Sequence, residues 1–122
     1  MKNQAYRMAL LYDFYGDMLT DRQKEFYDLY YNEDLSLAEI AENYGITRQG
    51  VRDVIVRAEA ILTELEDKTG IIKRFHKMQD QFSQMEEAVA VIAHRNETRW
   101  QDDEVETQCG KLHAILTQLK QE

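Results

Sequence analysis

The sequence predicts an all-α protein: a helix-turn-helix domain with an added N-terminal helix, followed by a C-terminal helical extension. Three observations predict this class. The 122 residues include no proline, the residue that ends helices, while Glu, Gln, Leu and Ala are abundant. Apolar residues recur at steps of three and four along most of the chain, and no segment shows the two-residue alternation of a strand. The window 37–56, LAEIAENYGITRQGVRDVIV, carries the residue types that two short helices crossing through a tight turn require.

Residues 3–19 place Tyr6, Leu10, Phe14 and Met18 at helical spacing, with Met8, Leu11, Tyr12 and Tyr15 between them. Apolar side chains cover most of the circumference, so this helix is expected to bury two faces, one on its own domain and one on a partner chain. Thr20-Asp21-Arg22-Gln23 is a capping box that opens a second helix, running to about Tyr31 with Phe26, Leu29 and Tyr30 inward. After the break at Asn32-Glu33-Asp34, Ser36 and Glu39 form another capping box for a helix over Leu37–Tyr44.

The helix-turn-helix signal lies here. Ala41 is small where the helices cross, and Gly45 supplies the positive φ of the turn. Ile40, Tyr44, Ile46, Val51 and Val54 are spaced to point into a shared core. Thr47 caps the next helix, expected over residues 48–67. Gly50 inside that helix costs about 1 kcal/mol relative to alanine and is read as allowing close approach of the two helices.

Thr69-Gly70 marks a turn. Beyond it, Ile71, Ile72, Phe75, Met78, Phe82, Met85, Val89 and Ile92 continue at steps of three and four as a long helix. Residues 94–103 are polar and read as a connection, with Trp100 packed against something apolar. Val105, Cys109, Leu112, Leu116 and Leu119 then form a narrow coiled-coil-like stripe. The expected division is a helix-turn-helix domain over 1–69 and a helical extension over 70–122, for dimerisation or partner binding.

Composition limits function. The net charge is −8, from 15 Lys and Arg against 23 Asp and Glu, the opposite sign from most nucleic-acid binders. The acid is spread along the chain: residues 1–35 and 36–70 each carry 4 basic and 7 acidic residues, and residues 71–122 carry 7 and 9. Residues 47–57, however, hold Arg48, Arg52 and Arg57 against Asp53 alone, a local +2. With its N-terminal end in a major groove, this helix would offer Arg48 and Arg52 to guanine edges or phosphates and Gln49 to adenine. Thr47 and the helix N-terminus suit a phosphate oxygen, as does Arg57, and Asp53 either accepts from cytosine or orients Arg57 four residues on. The same face also fits a solvated helix in a protein-only interaction module.

Other chemistry is sparse. Cys109 and His113 stand four apart, but no second ligand pair completes a zinc site, so Cys109 is read as a small hydrophobe and no metal or other cofactor is expected. There is no glycine-rich phosphate loop and no nucleophile–base set, so the chain is read as non-enzymatic. Seven Tyr, Phe14 and Phe26 all fall within the first 44 residues. Their helical spacing indicates core packing, with Tyr6, Tyr27 and Tyr31 as a part-exposed set suited to a protein interface. No span of about 18 apolar residues suggests a membrane helix, and the first residues lack the basic-then-apolar order of a secretion signal. One cysteine precludes an internal disulfide, and a cytoplasmic location is expected.

Leu19-Thr20-Asp21-Arg22-Gln23, Phe26, Leu29-Tyr30-Tyr31 and Leu35-Ser36-Leu37-Ala38-Glu39-Ile40-Ala41 resemble region 4 of bacterial sigma factors. In those proteins the same helix order carries a helix-turn-helix that reads promoter DNA. A longer match adds Met8-Ala9-Leu10-Leu11-Tyr12-Asp13-Phe14-Tyr15 and Ile46-Thr47-Arg48-Gln49-Gly50-Val51, and is similar to the YlxM-like family. It extends to about residue 68, and the family often has alanine where this chain has Gly50. The family comprises small cytoplasmic bacterial proteins described as helix-turn-helix regulators. Their genes neighbour those of the signal recognition particle GTPases. The resemblance therefore implies a DNA-binding regulator, with an accessory that contacts those GTPases or the particle's RNA as the alternative. Two-fold operators and the excess apolar surface of the first and last helices imply a homodimer.

Overall fold

Caps and turns set the limits of six α-helices in a computed structural model that describes residues 4–121. Helix α1 spans Ala5–Tyr15 and passes through one 3₁₀ turn, Gly16–Met18, so the helix expected to reach residue 19 ends four residues sooner. Its expected start at residue 3 lies outside the described residues. Helix α2 spans Asp21–Tyr31, and its capping box closes both ways: the Gln23 N–H donates to Thr20 Oγ1 at 3.2 Å, and the Thr20 N–H to Gln23 Oε1 at 2.9 Å. Helix α3, Leu37–Tyr44, opens on the Ser36–Glu39 box and ends at Gly45, whose φ of +66° is the left-handed turn the motif needs. Helix α4 runs Arg48–Thr69, two residues past its expected end, because Gly70 at φ +63° caps it with an N–H bond to the Glu66 carbonyl at 2.8 Å. Helix α5 spans Ile71–Arg95 and α6 spans Asp103–Gln121, and the described residues contain no strand.

The chain divides into two units, Met1–Ile72 and Lys73–Glu122. In the first, two apolar clusters meet along α4. Phe26, Tyr30, Ile40, Ala41, Val51 and Ile55 form the helix-turn-helix core, with Tyr44, Ile46 and Val54 half-buried around it. Ala41 sits where a small residue was expected. Ile55 is the fully buried residue of that turn of α4, whereas Val54 lies at the margin. Met8, Leu11, Tyr15, Leu19, Tyr27, Ala58, Leu62 and Ile72 form the second cluster, which fastens α1 to the far half of α4.

Tyrosine hydroxyls stitch this second cluster. Tyr27 is completely buried rather than part-exposed, stacks on Tyr12 at 5.2 Å, and donates to the Met8 carbonyl at 2.5 Å. Tyr31 is half-buried and donates to the Glu59 carboxylate. Burial, reinforced by Glu59, holds both phenols neutral to well above the usual tyrosine range. Of the three tyrosines expected on an interface, Tyr6 alone is largely exposed, at 81%. The reason is the 3.6-residue period: Tyr27 lies on the side of α2 that α1 covers, a contact between segments far apart in sequence. Helix α1 and the 3₁₀ turn after it bury one face within their unit and leave Tyr6, Phe14 and Met18 exposed.

The second unit is a helical hairpin. Helices α5 and α6 run antiparallel, since Lys120 near the end of α6 reaches Glu86 in α5 at 2.9 Å. The connection is more ordered than its polar composition suggests. Residues Asn96–Trp100 form a wide π-helical turn, and the buried Asn96 amide clamps the residues that follow it. Asn96 Nδ2 donates to the Asp102 carbonyl at 3.0 Å, and the Asp102 N–H donates to Asn96 Oδ1 at 2.9 Å. Trp100 is 57% exposed, contrary to the expected packing, because Asn96 and not the indole anchors the turn. Cys109 and Leu116 are buried in the seam.

Candidate nucleic-acid interface

Thr47 sits at the junction of the turn and α4, where its Oγ1 accepts the Gly50 N–H at 3.0 Å and satisfies one of the open donors of the first turn. A β-carbon on Gly50 would meet that oxygen at 3.2 Å and the Ile46 side chain at 3.8 Å. Its near neighbours are therefore the cap and the turn, not helix α3. The expected close approach of two helices is replaced by close packing against the cap.

Val51 and Ile55, both fully buried, fix the inner side of α4, and its 3.6-residue period then turns the polar residues outward. Thr47, Arg48, Gln49, Arg52, Asp53 and Arg57 are all exposed. They do not form one cluster. Gln49 and Asp53 occupy the outermost ridge, joined by a bond from Gln49 Nε2 to Asp53 Oδ1 at 2.8 Å. Asp53 thus orients Gln49, four residues before it, and makes no ion pair with Arg57 among the described residues. Measured from Gln49 at about 100° per residue, Asp53 lies about 40° and Arg57 about 80° to one side, so Arg57 continues the same row four residues on, while Arg52 lies about 60° to the other side. Arg48 shares the Arg52 side.

Helix α2 supplies a residue that the motif did not point to. Thr20, Arg22, Gln23, Asp53, Val54 and Arg57 line a cleft of about 270 Å³ along the Arg57 flank of α4. The Arg22 guanidinium lies over the Phe26 ring, 5.3 Å from its centroid. Phe26 is wholly buried and packs edge-on against Tyr44 at 4.9 Å, so the platform under Arg22 is part of the helix-turn-helix core. The i, i+4 spacing of Arg22 and Phe26 was a sequence signal for this placement. The cleft itself depends on how α2 crosses α4.

A larger cavity, about 540 Å³, belongs to the second unit, where Ala90, Ala93 and Gly110 leave space between α5 and α6. It is lined by Cys109 and His113 as well as Glu86 and Glu106, and no group of three or more potential metal ligands occurs among the described residues. No helix of the described residues is long and apolar enough to cross a membrane.

Comparison with known proteins agrees with the helix-turn-helix architecture. Residues 2–102 match the family described as "Putative helix-turn-helix protein, YlxM / p13 like". A UPF0122 protein of Desulforamulus reducens is 53% identical over 72 residues, 59% of this chain and 62% of that protein, so the chain spans less than two thirds of its length. One from a Thermoanaerobacter species is 43% identical over 88 residues, 72% of this chain and 75% of the relative. One from Bacillus thuringiensis is 40% identical over 97 residues, covering 80% and 88%. With the match running from α1 to the turn before α6, the chain belongs to the YlxM / p13-like family of helix-turn-helix proteins.

Proposed function

We propose that the chain is a non-enzymatic regulatory protein that binds duplex DNA, with α4 in the major groove. The observation that carries this reading is the outer surface of α4. Arg48, Gln49 and Arg52 stand clear of solvent-excluded packing on a helix whose inner side is locked by Val51 and Ile55. Rigid support beneath exposed arginines and an amide is what base reading needs. In the free protein Asp53 holds the Gln49 amide in place. Thr47 and Arg57 contact the backbone in this reading. Because the whole chain is at −8, non-specific attraction is weak, and affinity falls steeply with salt only in proportion to the few phosphates engaged.

Selection from a random duplex library tests the proposal, with pull-down of signal recognition particle GTPases and RNA alongside. An enriched palindrome supports DNA reading. Recovery of the particle's components with no enriched sequence sinks it in favour of the accessory role. With a selected site in hand, Arg52→Ala is expected to lower discrimination by about 1–3 kcal/mol at the bases it reads, while a uniform loss across all sequences would remove Arg52 from base reading.

We also propose that the protein acts as a homodimer through its second unit. Met78, Met85 and Ile92 of α5 and Leu112, Ile115 and Leu119 of α6 are 36–54% exposed. By helical phase they share the side of the hairpin opposite the cavity and the Glu86–Lys120 pair. Six such side chains present on the order of 500 Å², near the top of the range for a monomer's largest apolar patch. Two copies closing it would bury on the order of 1,000 Å², the lower bound for a specific interface, as a four-helix bundle.

A further inference from the structure

We infer that the cleft between the start of α2 and the flank of α4 is a phosphate seat, in which Arg22 and Arg57 together hold one backbone phosphodiester of a bound nucleic acid. The inference rests on the DNA-binding reading and adds to it a residue, a position and a chemistry. The two guanidinium groups come from different helices and line one cleft of about 270 Å³, ample for a phosphate group. Neither has a carboxylate within ion-pair distance among the described residues. In a chain with eight excess acids, two such arginines facing one space outweigh the single carboxylate of Asp53 there and leave a local positive field.

The remaining members of the cleft fit an anion. Asp53 is the one acid lining it among the described residues, and although its carboxylate accepts from the Gln49 amide it keeps its charge, so the cleft holds two positive charges against one negative. Thr20 and Gln23 spend their side-chain oxygens on the capping box, so neither presents a free acceptor to repel a phosphate. Stacking on Phe26 limits where the Arg22 guanidinium can go. A planar, pre-oriented fork loses less freedom on binding phosphate than a free side chain.

Position selects the source of the phosphate. A helix lying in a major groove about 12 Å wide has a phosphate backbone on each side. With Gln49 toward the groove floor, Arg57 is turned about 80° toward one wall, about 40° beyond Asp53. Helix α2, which bears Arg22, lies on that same side. The seat therefore meets one strand's backbone as α4 enters the groove. Bound this way, it fixes how deeply and at what angle α4 is inserted without itself reading sequence.

The test is fluorescence anisotropy with a mixed-sequence 30-base-pair duplex across 50–200 mM salt. It compares the full-length protein with R22Q, R22K, R57Q and the R22Q/R57Q pair, each checked by circular dichroism melting. R22Q and R57Q are each expected to weaken binding equally on unrelated duplexes and to flatten the log–log salt slope by about one. The pair is expected to lose less than the product of the single losses, because both side chains share one phosphate. R22K, which keeps the charge, is expected to retain the slope. If R22Q keeps the parental slope while Arg48→Gln weakens binding, the seat is overturned and the DNA reading stands. If the parent binds no duplex, both fall. Inorganic phosphate titrated against the protein should compete only in the millimolar range. Tighter binding of free phosphate, or of an acidic peptide in place of duplex, would overturn the nucleic-acid assignment.

Discussion

Gly45 and Gly50 sit five residues apart in the same motif and play opposite parts. At Gly45 the backbone is left-handed, φ +66°, with open space where a side chain would go. An alanine there meets no neighbour but pays for the left-handed conformation, about 1–2 kcal/mol. At Gly50 the backbone is helical and the obstacle is the Thr47 hydroxyl, 3.2 Å from the position of an added Cβ. That hydroxyl can yield by a few tenths of an ångström while keeping its bond to residue 50. Gly50→Ala is therefore expected to stabilise by up to about 1 kcal/mol, and Gly45→Ala to destabilise by about the same amount or more. Urea unfolding of the two variants checks this, and a destabilised Gly50→Ala would mean that the cap cannot adjust. Sequence alone identified both glycines as special. It also told them apart, Gly45 by its turn and Gly50 by its place inside a helix, and what the structure changed is the neighbour of Gly50, the Thr47 hydroxyl in place of helix α3.

Among the elements, helix starts were the most legible features and the contents of the connections the least. Thr20, Ser36 and Thr47 each cap the helix they precede, because capping is settled within four residues and needs no tertiary context. The turn between α5 and α6 was illegible for the opposite reason. A polar stretch with an exposed tryptophan and a buried asparagine inverts the usual burial ranking. Only the fold shows that Asn96 satisfies two backbone groups of Asp102 at once. Removing that amide leaves the Asp102 N–H without its partner, while the Asp102 carbonyl keeps the Glu106 N–H at 3.1 Å. Asn96→Ala is expected to cost about 1–2 kcal/mol in the hairpin. Hydrogen exchange of the α6 amides reads the loss directly, with Thr98→Ala, exposed in the same turn, as a near-neutral comparison. Equal protection in both variants would refute the clamp.

At the scale of the whole molecule, the first unit buries both sides of α4's inner face against α1, α2 and α3. The second buries little beyond Cys109, Leu116 and Asn96. A hairpin with that little enclosed apolar area gains most of its remaining stabilisation from covering its outer side. Sedimentation equilibrium at micromolar concentration is expected to give a dimer for the parent. The double substitution Met85→Glu/Leu112→Glu should shift it to monomer while leaving the α4 surface folded, as judged by tyrosine fluorescence and far-ultraviolet dichroism. A monomeric parent, or a dimer unaffected by the two charges, would rule out this face. A dimer also bears on the salt response, since two copies of the phosphate seat would double its share of the slope.

The sequence by itself determined the helical class, the capped starts of α2, α3 and α4, the turn at Gly45 and the outward set from Thr47 to Arg57. All of these follow from local periodicity and from cap chemistry that acts within a few residues. Only the tertiary structure decided that Tyr27 is sealed beneath α1, that Asp53 serves Gln49 instead of Arg57, and that Arg22 joins Arg57 across a cleft. Each of those depends on the angle at which one helix crosses another. That angle is set by how side chains distant in sequence fill a shared core, and no short stretch of residues encodes it.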